Sequence, residues 1–454
     1  MSKLSLTAAL LLGSAVFAHA ADDLLSAFKE GKLDGRLRAQ YFYTDWDDDS
    51  KDSAKGFAVG GSLIYKTAPL YGFSFGTGLY TTQNPGDWTD PEDGATAATA
   101  KDLFSRDPGD AYGDGYAVLG QVYLQYDIAK SKIKGGRFLM TNPWINPNDT
   151  KMIPIAIEGG QFISNDLPNT TIQIDYADQI KERGKSFFGN MADTGDTPTK
   201  ISACYKTHYG TVPGTHGDAP DVSIVGITNK SIDNLELQGW VMHWPDLVDQ
   251  FMFEANYALE AGDVILTFGG RYLVQNDQGA GDIILPKTNN HDSDNSIDSN
   301  LWALRAIADY RAAKFLLSMS KTDSDGDILA PWRGFPTQGY TRSMTQTDWN
   351  ANTKSYKAEF DYDYSAMVPG LSTLLSYAWY DRDPTKKPYQ SMTDRGYQNG
   401  DTRQWNFDII YKLSGSWKGT ELKARLMDQN NEKTALYTAE TSNREMRLEA
   451  NYRF

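Results

Sequence analysis

The sequence predicts an all-β protein, a transmembrane antiparallel β-barrel of about 18 strands, with short periplasmic turns and long extracellular loops. Three observations carry this expectation. Apolar and polar residues alternate with a period of two along the chain after residue 20. The alternating segments are about ten residues long, the length a tilted strand needs to cross a bilayer. The connectors between them alternate between short and long.

The alternation is explicit in "LDGRLRAQYFY", where Leu33, Leu37, Ala39, Tyr41 and Tyr43 share one face and Arg36, Arg38 and Gln40 the other. "YKAEFDYDY" sets Tyr356, Phe360, Tyr362 and Tyr364 against Lys357, Glu359, Asp361 and Asp363. "WNFDIIYKL" and the final "MRLEANYRF" repeat the pattern. Segments of this kind begin near residues 33, 56, 71, 116, 131, 155, 169, 220, 234, 250, 263, 300, 313, 354, 371, 403, 418 and 444. No 3.6-residue periodicity competes with them.

Short connectors such as "KTAPL", "IAKS", "KSID", "EAG" and "SGSW" alternate with long ones at residues 82–115, 140–154, 179–219, 276–299, 322–353, 381–402 and 428–443. "HWPDLVD" is a short member of the long set. Tight turns on one rim and extended loops on the other are the form of a membrane barrel. The apolar face is rich in Tyr, Phe, Trp, Gly and Ala, unlike the Val, Ile and Leu of a packed sandwich core. It suits a lipid-facing band with interfacial aromatics. Lipid offers no hydrogen bonds to free backbone, so such a sheet must close.

The first 20 residues read as a signal peptide: Lys3, a short apolar run, then small residues at Ala18 and Ala20. Residues 21–454 are then expected to form a single barrel domain, integral to a bacterial outer membrane. Removing Lys3 from 44 basic residues leaves 43 against 59 acidic ones, a net charge of −16. That balance argues against nucleic acid as a partner. The acids gather in loop-like runs, "DWDDDSKD" and "DSDGD". "DSDGD" lacks the spacing of a calcium loop, and Cys204 is the single cysteine, so no metal site and no cofactor is expected. The mature histidines are His208, His216, His243 and His291 with no "GxSxG", which gives no basis for an enzyme.

Residues 135–180 resemble the OprD family of outer-membrane porins. The resemblance rests on Gly136–Arg137 at a strand end, the loop "NPWINPND", Pro154, and the pair Glu158–Gly159. Lys151 stands where the family often carries Arg, which keeps the charge but not the planar fork. The resemblance implies 18 strands, a third external loop (near 140–154) folded into the channel, and a basic ladder that draws carboxylated solutes through.

Strand parity supplies the ladder candidates on the inner wall: Arg36, Arg38, Arg271, Arg305, Lys423, Arg425 and Arg447. In any porin lumen such residues also pair with neighbouring acids. Asn146, Asn148, Asp149 and Lys151 are the candidate constriction residues, on a loop stiffened by Pro143, Pro147 and Pro154. Loop 322–353, with Trp332, Arg333 and Tyr340, is a second segment long enough to fold inward. Phe454 resembles the C-terminal aromatic that marks outer-membrane barrels for assembly. The expected function is passive, substrate-selective diffusion of small carboxylate-bearing solutes such as amino acids, short peptides or organic acids. The alternative is a non-selective general porin or major structural outer-membrane protein. Expected partners are the solutes, outer-membrane lipid, periplasmic chaperones and the barrel-assembly machinery, with a homotrimer as the possible assembly.

Overall fold

Period-two alternation becomes strand wherever it occurs. The computed structural model describes residues 21–454 except 52, 87–101, 108–109, 111–112, 192–219, 282–295, 331, 333–338, 345–348, 387–399, 436–437 and 439. The proposed signal peptide, Cys204, His208, His216, His291 and Arg333 lie outside the described residues. The elements are a short helix α1 (Leu24–Lys29) and strands β1 (Lys32–Trp46), β2 (Ala54–Lys66), β3 (Phe73–Gln83), β4 (Tyr116–Ile128), β5 (Ser131–Phe138), β6 (Ala156–Ser164), β7 (Thr170–Lys181), β8 (Gly189–Asn190), β9 (Val222–Ile232) and β10 (Leu235–Trp244). There follow β11 (Val248–Ala261), β12 (Val264–Asp277), β13 (Ser299–Tyr310), β14 (Ala313–Thr322), β15 (Lys354–Asp363), β16 (Leu371–Asp381), β17 (Thr402–Lys412), β18 (Thr420–Asn431) and β19 (Asn443–Arg453). Every long strand begins within two residues of its expected start.

Each strand pairs antiparallel with its sequence neighbour, and β19 returns to β1. The two-residue β8, which the alternation does not foretell, pairs among the described residues only with Gln179 and Ile180 at the end of β7. β9 pairs directly with β7, so 18 strands make the closed wall. The closing seam runs from Arg36↔Arg453 to Trp46↔Asn443. It is extended by Gly35 N–H donating to the Phe454 carbonyl (2.8 Å) and Phe454 N–H donating to the Gly35 carbonyl (3.1 Å). Among the described residues no long strand of the wall is left with an unpaired edge. Tight turns use residues that tolerate the left-handed region, such as Asn169 (φ 52°) and Asn234 (φ 62°).

The wall is apolar outside and polar inside. Leu37, Leu63, Phe253, Phe268, Leu304, Leu317, Trp405, Leu426 and Leu448 are exposed on the outer face. Arg36, Arg38, Gln40, Gln250, Glu254, Arg271, Asp408 and Arg447 are buried from the opposite face. The apolar core therefore sits inside the barrel, where loops fold in and fill its external half. Trp144, Trp244 and Trp332 are fully buried there, with Trp244 and Trp332 rings 4.7 Å apart. Trp144 also donates its indole N–H to Gln250. Trp144→Ala removes the largest apolar anchor of loop 139–155 and is expected to cost about 3–5 kcal/mol. A thermal melt of the detergent-solubilised barrel should show the loss, and an unchanged midpoint would contradict this anchoring role.

Candidate pore constriction and basic track

Loop 139–155 is shaped by its own side chains before it meets the wall. Asn142 Oδ1 accepts from Trp144 N–H (2.9 Å) and Ile145 N–H (2.7 Å), closing a side-chain turn around Pro143. Asn146 Oδ1 accepts from Asn148 N–H (2.7 Å), and Asn148, at φ 44°, turns the chain a second time. Asn146 N–H donates to the Trp332 carbonyl of loop 323–353, at 3.2 Å. Asn142 Nδ2 holds Asp175 of β7 at 2.9 Å. Apolar Trp144, Ile145, Met152 and Ile153 are buried, so the loop is driven inward by its hydrophobic residues.

The tip of the loop lands on the closing seam. Asp149 is gripped by two arginines of β1: Arg36 Nη2 to Oδ1 at 3.2 Å, with Arg36 Nη1 on Oδ2, and Arg38 Nη1 to Oδ1 at 3.0 Å. Arg38 also donates to Asn451 Oδ1 (2.7 Å) and to the Lys151 carbonyl, and lies 3.4 Å from Glu449. Gln40 Nε2 bridges the Thr150 carbonyl (2.9 Å) and Glu449 (3.0 Å). The planar guanidinium fork makes this a directional clamp. Lys151 is buried against the inner wall, its ammonium 3.6 Å from the Phe42 ring centroid, with Arg447 4.8 Å from the same ring.

All seven expected ladder residues lie on the inner face, but they form two groups. Arg36, Arg38, Lys423, Arg425 and Arg447 share β1, β18 and β19. Arg271 and Arg305 stand on β12 and β13, with β14–β17 between the groups. Every one is ion-paired. Asp408 binds Arg425 Nε at 2.8 Å and Lys423 Nζ at 3.6 Å. Glu254 binds Arg271 at 2.6 Å and Arg305 at 3.5 Å. Glu445 binds Arg447. Asn256 accepts from Arg305 at 2.6 Å. The Tyr340 ring lies 4.1 Å from the Arg305 guanidinium and 4.8 Å from that of Arg271. Tyr340 comes from loop 323–353, whose Leu329 and Trp332 are also buried inside. Burial raises the pKa of the Tyr340 hydroxyl, which keeps the ring neutral beneath the two cations.

Water access separates the cations. Arg305, Lys423 and Arg425 keep side-chain exposures of 26, 21 and 27 %, against 9 and 3 % for Arg36 and Arg38. Beneath the loop tip is a cavity of about 180 Å³ whose walls include Arg38, Lys423, Arg425, Arg447 and Arg453 against Asp149, Glu421 and Glu449. Asp408, Glu449 and Arg453 lie on polar strand faces in the sequence pattern without a site role, and Glu254 is not among the candidates at all. Strand parity marks each as inward-facing, but only register reveals their partners. Lys357 is inward by parity and outside the expected ladder. It sits on the rung Arg305↔Ser318↔Lys357 and pairs with Glu359 at 2.5 Å.

The Gly-Arg and Glu-Gly pairs face one another across two strands, with Gly136 opposite Gly159 and Arg137 opposite Glu158. Arg137 Nε meets Glu158 Oε2 at 2.7 Å. A Cβ on Gly159 would come within 2.0 Å of the Tyr176 carbonyl, at the bulge between β6 and β7. The family model described as "outer membrane porin, OprD family" matches residues 28–454. The chain belongs to the OprD family of outer-membrane porins. It is thus an integral outer-membrane protein. This OprD-family barrel is similar in fold to Pseudomonas aeruginosa OccK1 (OpdK), with a TM-score of 0.74 at 16% identity over 94% of this chain and 99% of that one. It is also similar to Acinetobacter baumannii OccAB2, with a TM-score of 0.71 at 18% identity over 94% and 99%. No curated protein matches the chain.

Proposed function

We propose that this porin is a passive, substrate-selective channel for small carboxylate-bearing solutes. The observation that carries the reading is the trio Arg305, Lys423 and Arg425, which stay open to lumen water, with the tip of loop 139–155 beside Lys423 and Arg425 and Tyr340 of loop 323–353 beside Arg305. Cations between low-dielectric walls concentrate anions and pass them along. Two relatives point the same way: P. aeruginosa OpdK has been solved with vanillate, and OccK2 (OpdF) with glucuronate. Phe454 is read as the assembly signal. Chaperone escort, delivery to the barrel-assembly machinery and a homotrimer belong to the same reading.

The test is the Arg305→Gln/Arg425→Gln double variant in planar bilayers. At ~6 Å in water each lost charge is worth about 0.7 kcal/mol, so the anion-to-cation permeability ratio should fall by at least about threefold. An unchanged ratio would overturn the track. Currents that never saturate with carboxylate solute would instead identify a general porin.

A further inference from the structure

We propose that Lys66, Lys132 and Lys134 form a separate anion subsite at the periplasmic end of the lumen, suited to a doubly charged solute such as a dicarboxylate. It rests on the anion-channel reading above, but on different residues. Lys66 ends β2, and Lys132 and Lys134 lie in the first half of β5, so all three sit a few residues from periplasmic turns. Parity turns them inward: Ile133 is exposed on the lipid face, and Leu63 likewise on β2. Register brings them together, with Lys132 opposite Asp127, Lys134 opposite Gln125, and Lys66 on the rung of Gly76 and Tyr123. The three lysines and Asp127 lie within electrostatic reach of one another.

Their charge is poorly compensated. Asp127 is the one carboxylate in the group, and both its oxygens accept from Gln125 Nε2, at 2.8 and 2.9 Å. Asp34, on the neighbouring strand, is taken by Lys32 at 2.9 Å. Among the described residues no ion pair forms on Lys66, Lys132 or Lys134. Aromatic faces hold Lys134 instead, its ammonium 4.8 Å from the Tyr123 centroid and 5.1 Å from that of Phe138. Such contacts fix an ammonium without neutralising it. Three like charges with one engaged carboxylate leave a net charge of two for a visiting dianion to neutralise. Ammonium groups on flexible stems demand no fixed geometry, which suits a release station beyond the constriction.

The test uses the full-length porin in planar bilayers, with succinate or propionate added on the periplasmic side. Wild type should be blocked by succinate at lower concentration than by propionate. In K66Q/K132Q/K134Q the succinate affinity should fall at least about tenfold, as removing three charges within ~8 Å of a dianion implies. K66R/K132R/K134R should retain the block, which separates charge from misfolding. Equal block by propionate in wild type, or unchanged block in the glutamine triple variant, would overturn the proposal. The Arg305→Gln/Arg425→Gln variant distinguishes the two readings. It should keep the succinate block that the lysine variant loses, so the subsite stands whether or not the anion-to-cation ratio upholds the arginine track. The reverse result removes the subsite alone.

Discussion

Asp149→Ala should open the constriction and destabilise the barrel. This carboxylate is the tie between loop 139–155 and the closing seam, and it satisfies two arginines that are themselves nearly inaccessible, Arg36 and Arg38. Removing it leaves both guanidinium groups with less compensation. Breaking a buried pair costs about 3–5 kcal/mol, but Asp149 is itself more than a third exposed, so solvent screening reduces the expected loss to about 2 kcal/mol. The functional effect should be larger. The loop keeps its anchors at Trp144 and Asn142, so it remains folded at its base while its tip lifts from β1. Single-channel conductance should rise, and anion preference should rise with it, because Arg36 and Arg38 now face water. Asp149→Glu should restore the tie in part. Conductance unchanged in Asp149→Ala would mean that the Thr150 and Lys151 carbonyl contacts to Gln40 and Arg38 hold the tip alone.

Deletion of Phe454 is expected to block assembly in the outer membrane while leaving export intact. Two backbone hydrogen bonds between Gly35 and Phe454 extend the β1–β19 seam past its last register pair. The Phe454 ring lies over Gly35, where an added Cβ would come within 2.3 Å of it, and stacks on Tyr452 at 5.8 Å between centroids. It is exposed at the rim, so its loss should cost the finished barrel little. The defect should therefore be kinetic: protein accumulates in the periplasm, yet purified variant refolded into detergent forms channels of normal conductance. Normal surface levels of the variant would remove Phe454 as an assembly signal. Failure to refold in detergent would make its role structural.

Strand identity was legible because the signal is local. Whether a side chain faces lipid or lumen depends on parity within one strand, and parity survives without knowing any neighbour. Lys357 in "YKAEFDYDY" and Arg38 in "LDGRLRAQYFY" can both be placed inward by reading a few residues on either side. Rim assignment was equally local, since connector length alternates along the chain. Partnership was not legible. Asp149 meets Arg36 across 113 residues of sequence, and Trp144 meets Gln250 across 106. Nothing near Lys151 in sequence announces that its ammonium lies over Phe42 of β1.

By itself the sequence determined a closed 18-stranded wall, its lipid and lumen faces, and the sign of the inner residues. Period and parity are properties of a single strand, and an apolar solvent requires a sheet of such strands to close. Tertiary structure decided the division of the cations into structural clamps, water-facing groups and a lysine cluster at the periplasmic end. That division depends on cross-strand register and on which loops fold inward. Both are settled only when strands distant in sequence become neighbours and their acids choose among the arginines within reach.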